Sequence, residues 1–151
     1  MMEHILNKIK DLLDIKKMKY FCDTERGVVA AMFPAYKTIF EVDSEAVEFR
    51  MIFDKETAEE RQEAVREYVN YVNCVLKEGH LEMDGQGVVQ FRICTNISEE
   101  QDISSMRLFF MIKRASDVED AFCEYMYQVS DGLLAAKEAF ECVMKELSKA
   151  C

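Results

Sequence analysis

The chain has 151 residues, half of them apolar and 32% charged, with a formal net charge of −10 at neutral pH. Such a charge repels phosphate backbones and anionic lipid, so neither nucleic acid nor a membrane surface is an expected partner, and no run approaches the roughly 20 apolar residues of a membrane span. One proline and five glycines leave little scope for a linker, so a single domain over residues 1-151 is expected.

Ile5, Leu6, Ile9, Leu12 and Leu13 recur at helical spacing and predict an amphipathic helix ending near Met18. Its charges break up any signal-peptide apolar core. Then come "YFCD", a turn-like "TERG", and "VVAAMF" before Pro34. "TIFEVD" and "EAVEFRMIF" follow, with a turn at Asp43-Ser44. Val47, Phe49, Met51 and Phe53 alternate with Glu48 and Arg50, the pattern of a half-buried antiparallel strand.

"TAEE" from Thr57 reads as a capping box opening a second helix. Val65, Tyr68, Val69, Val72 and Leu76 form its apolar stripe, and Gly79 is placed to end it in a left-handed cap. Leu81 and Met83, the turn "DGQG", and Val89, Phe91 and Ile93 then predict a hairpin. A third helix is expected over about Ser104 to Arg114, where "LFFMI" is apolar all round. "SDVE" from Ser116 offers another capping box and predicts a break near Ala115. A stripe from Val118 to Leu147 continues at spacings of three and four, and Gly132 within it allows either a kink or fresh helix start or one straight helix. The expected order is α-β-β-β-(β)-α-β-β-α-α, an α+β fold with an antiparallel meander packed against helices.

Chemistry-bearing patterns are missing from this order. The six cysteines, at 22, 74, 94, 123, 142 and 151, make no C-x-x-C pair, and His4 and His80 have no ligand-spaced neighbours. The expectation is therefore no metal, no cofactor and no catalytic residue, with reduced cysteines in a cytoplasmic protein. Cys74 with His80 lacks a third orienting group and reads as an ordinary helix residue beside a solvent-facing one. Glu59-Glu60 and Glu99-Glu100 read as helix-start acids. Met106, Met111, Met126 and Met144 read as core filling, although methionine also suits an adaptable binding surface. Two segments, Val28 to Phe33 and Leu108 to Ile112, are apolar on more sides than one packed layer covers. They make Val29, Ala31, Phe33, Phe109 and Phe110 the candidate interface, and a twofold homodimer the expected way to bury it.

The run "YVNYVNCVLKEGHLEMDGQGVVQFRI" resembles the YbjN-type domain family, whose "YxN..N" helix leads into a "GxFE.D..G.V.FR" hairpin. The pattern falls on Tyr71, Asn73, Gly79, Glu82, Asp84, Gly87, Val88, Phe91 and Arg92; Leu81 stands where the family often has an aromatic residue. The resemblance implies a fold like that of type III secretion chaperones: a small acidic α+β protein, usually homodimeric, without catalytic residues. The family's label of sensory-transduction regulator names no mechanism, and fold does not set function. The expected function is a non-enzymatic, chaperone-like regulatory module binding a peptide or protein. The alternatives are a small-ligand-binding sensory domain and an enzyme with an unrecognised site.

Overall fold

A computed structural model describes residues 1–33 and 36–150. Within them the chain runs α1 (Met2–Ile15), β1 (Tyr20–Asp23), β2 (Val28–Met32), β3 (Tyr36–Val42) and β4 (Ala46–Glu56). A short 3-10 turn (Glu59–Arg61) leads into α2 (Gln62–Asn73). Then come β5 (His80–Met83), β6 (Val88–Asn96), α3 (Ser105–Ser130) and α4 (Ala136–Lys149). The six strands form one antiparallel sheet in the order β1-β2-β3-β4-β6-β5. This is the expected α+β order, with the optional fourth strand of the meander present.

Among the described residues, helices cover one face of the sheet. Val29, Ala31, Phe40, Phe49, Met51, Phe53, Phe91 and Ile93 point inward and are buried. α1 covers β2 and β3, α3 lies across β4 and β6, α2 sits by β5, and α4 packs on α2 and α3. The turns follow the side chains available. Asp43 Oδ1 accepts from the amides of Glu45 and Ala46 at 2.7 and 2.8 Å, closing β3 to β4. Asp84 Oδ1 accepts from Gln86 and Val88 and closes β5 to β6.

Three local expectations give way to tertiary contacts. Thr57 does not cap α2. It is buried, its hydroxyl bonded to Ser130 Oγ at 3.1 Å, and its amide donates to Gly87 O. The predicted break near Ala115 is absent, because α3 runs unbroken for 26 residues from the Ser104 cap. Leu108, Met111, Ile112, Ala115, Val118, Phe122, Met126 and Val129 are all buried along it. A cap is worth about 1 kcal/mol, while each large side chain buried contributes about 1.5–3 kcal/mol, so the continuous stripe wins. α2 stops at Asn73 rather than near Gly79, leaving Leu76 beyond its end. The stripe is broken at Gly132, and a separate helix, α4, begins at Ala136. At φ +75° Gly132 ends α3, its amide donating to Val129 O and that of Leu133 to Gln128 O. Arg61 also binds Val129 O, at 2.9 Å from Nη2.

Candidate interaction surface

Strand alternation sends every second side chain to the uncovered face of the sheet. The register aligns Phe21, Ala30, Ile39, Arg50, Arg92 and His80 in one row across that face. Read along the row, chemistry changes midway. On β1, β2 and β3 the outward residues Phe21, Val28, Ala30, Met32 and Ile39 are apolar, and Asp23, Lys37 and Glu41 are charged. On β4, β6 and β5 most are polar, with Glu48, Arg50, Gln90, Arg92, Cys94, His80 and Glu82 surrounding the apolar Ala46, Ile52 and Val88.

The polar half is a chain of ion pairs. Arg50 binds Glu41 at 2.7 Å, Arg92 Nε binds Glu48 at 2.8 Å, and Arg92 Nη1 lies 3.4 Å from Glu82. Arg50 Nε and Glu48 Oε1 stand 3.2 Å apart but out of line, so they attract by charge without a hydrogen bond. Glu82 also takes a hydrogen bond from Gln90 and lies 3.3 Å from His80 Nε2. Burial raises the Glu82 pKa, but the hydrogen bonds from Gln90 and His80 and the charge of Arg92 outweigh it and hold the carboxyl below its usual range. The Glu48 hydrogen bond raises Arg92.

The apolar half has few internal partners. Phe21 is 68% exposed and Met32 64%. They flank a shallow depression of about 440 Å³ with Ala30 and Ile39 in its floor and Lys19 and Lys37 at its rim. A second apolar surface lies at the start of α3, where Met106, Phe109 and Phe110 are exposed. Lys16 sits 5.2 Å from the centre of the Phe109 ring.

The five candidate interface residues therefore separate. Val29 and Ala31 are inward, under α1, and present no surface. Phe33 is half-buried and stacked on Tyr36 at 4.9 Å. Phe109 and Phe110 are exposed, on α3 rather than beside β2. Phe21 lies outside both candidate segments, and Met32 lies within Val28 to Phe33 but is not among the five. "VVAAM" is apolar at both parities, which signals an apolar outer face, but alternation alone does not say which parity faces out.

The residues considered for chemistry stay apart or serve structure. Cys74 is exposed just beyond α2, and His80 pairs with Glu82 on the sheet. Burial pushes the Cys123 thiol up to about 11, far from a reactive thiolate. Among the described residues no group of three or more His, Cys, Asp or Glu side chains could hold a metal ion, and no helix is long and apolar enough to cross a membrane.

The motif residues of the α2-to-hairpin run have structural work. Asn73 Nδ2 donates to Leu81 O at 2.9 Å and its Oδ1 accepts from Leu81 N at 2.8 Å, so one amide side chain copies a neighbouring strand. Gly79 is at φ +73°, and a Cβ there would lie 2.4 Å from the Phe91 ring. Gly87, at φ +86°, lets Thr57 O approach. Tyr71 stacks on Phe140 of α4 at 5.5 Å.

No protein-family model matches the chain, and no curated protein matches its sequence. Its fold is similar to that of E. coli YbjN, described with its crystal structure as a candidate transcription regulator. The TM-score is 0.52 at 11% identity, over 74% of this chain and 83% of that one. An uncharacterised protein from Methanothermobacter thermautotrophicus matches at a TM-score of 0.48 and 14% identity, over 85% of this chain and 98% of that one. The chain has a YbjN-like fold.

Proposed function

We propose that residues 1-151 form a non-enzymatic, cytoplasmic interaction module that binds an apolar segment of a protein along the β1–β2–β3 half of the open sheet face. The observation that carries this reading is the exposure of Phe21 and Met32 around a depression floored by Ala30 and Ile39. Soluble proteins seldom leave contiguous apolar surface open without a partner for it. The rim offers two lysines and no convergent set of polar groups of the kind that orients a small substrate. A regulatory role fits the same surface, because a chain of net charge −10 would act on another protein rather than on a phosphate backbone.

Photo-crosslinking in the native cell tests this. A photoreactive residue at Met32 is expected to capture a discrete protein partner, and one at Gln90, in the polar half, is expected not to. Equal capture at both positions, or none at Met32, overturns the reading.

A further inference from the structure

The two edges of the sheet are treated differently. At the β5 edge, Asn73 occupies the outward N–H and C=O of Leu81. At the β1 edge, no group among the described residues pairs with the outward backbone of Tyr20–Asp23. An unpaired edge is a template for another strand.

The charges around β1 say which strand. Centred on Phe21, the sequence reads Lys19-Tyr20-Phe21-Cys22-Asp23. Placed antiparallel against itself about Phe21, it sets Lys19 opposite the partner's Asp23, and Asp23 opposite the partner's Lys19. Residues 19, 21 and 23 share one parity, so both charge pairs flank a Phe21–Phe21 contact on the same outer face. An unrelated acidic strand would meet Asp23 as a like charge, and a basic one Lys19.

We infer that β1 pairs with β1 of a second copy of this chain, in the register that puts Phe21 opposite Phe21, to give a continuous antiparallel sheet across a twofold axis. This goes beyond the binding reading above, since it concerns the edge backbone and its charges rather than the face. Its consequence for that reading is geometric: the apolar halves of two copies become neighbours and form one strip. Four residues per edge bury little area, so the pairing is weak and concentration-dependent.

Sedimentation equilibrium over a hundredfold concentration range, reaching several hundred micromolar, reads it. The mass is expected to rise from 17.6 kDa toward twice that value. Lys19→Glu places like charges across both pairs and is expected to weaken association about tenfold. Lys19→Asp combined with Asp23→Lys restores opposite charges in this register and is expected to recover it. Because Asp23 also accepts from the Arg26 amide, at 3.1 Å, melting of each variant at low concentration checks its fold. If the double variant does not fold, Phe21→Lys takes its place and is expected to abolish association. A mass fixed at 17.6 kDa, association indifferent to Lys19→Glu, a folded double variant that fails to recover, or association that survives Phe21→Lys overturns the inference. A monomer whose β1 amides become protected only when the protein captured at Met32 is added overturns it too, and leaves the binding reading standing.

Discussion

The two halves of the open sheet face are made from the same kind of strand and meet the same solvent, yet one is apolar and the other charged. In the charged half, Arg50 and Arg92 bridge Glu41, Glu48 and Glu82, and the strands beneath are anchored by Gly79 and Asn73. In the apolar half, Phe21 and Met32 stand in solvent with no such net. The difference teaches which half of the face is tied into the fold and which is left open. Exposed ion pairs contribute little each, about 0–1 kcal/mol, but they finish a surface and discourage association. Phe21 and Met32, about two thirds exposed, bury little of their apolar surface in the isolated fold.

The largest expected effect is on the anchoring of the charged half. Gly79→Val forces a β-branched residue into φ +73° with its Cβ 2.4 Å from the Phe91 ring and 2.9 Å from Arg92 O. Strain and overpacking each cost about 1–3 kcal/mol, so denaturant titration should show a loss of roughly 2–6 kcal/mol. Gln86→Ala, in the exposed turn of the same hairpin, should stay within about 0.5 kcal/mol. Equal stability of the two variants would break the account of the α2-to-hairpin junction.

Next is Asn73→Ala, which leaves the Leu81 backbone unpaired at the β5 edge. A loss of about 1–3 kcal/mol is expected, with faster amide exchange at Leu81 than at Phe91. If exchange at Leu81 is unchanged, Asn73 does not seal that edge.

Acid should weaken the fold as a whole. Glu78, beside Arg107, Glu82 and Asp102, beside Lys8, all have folded-state pKa values below their ordinary 4.5, 4.5 and 3.8. A carboxyl depressed in the fold contributes stability above its unfolded value and loses it as pH falls through the folded one. Glu119 acts the other way, raised by burial and by the hydrogen bond with Asp120. With three groups against one, the urea midpoint should be lower at pH 3 than at pH 6, and a midpoint that rises on acidification would contradict these pairings.

The smallest effect sharpens the contrast most. Phe21→Ser and Met32→Ser should each leave thermal stability within about 0.5 kcal/mol of the parent. A loss above about 2 kcal/mol in either, measured by the same denaturant titration at low protein concentration, would mean that the apolar half is part of the core of one chain.

Periodicity alone determined the element order of this protein, because the inward residues of β4 and the stripes of α1 and α2 recur at periods set by backbone geometry. It also determined the turns at Asp43 and Asp84 and the left-handed glycine at 79, because those conformations depend on residues a few positions apart. Only the tertiary structure decided the rest. Thr57 left its helix cap because Ser130, distant in sequence, offered its hydroxyl a buried partner. The capping signal at Ser116 was overridden because the sheet and the neighbouring helices α1, α2 and α4 together bury the whole stripe of α3. Val29 and Ala31 went inward and Met32 outward because α1 packs on one side of β2 and leaves the other side open, and β2's alternation is the same whichever side α1 takes.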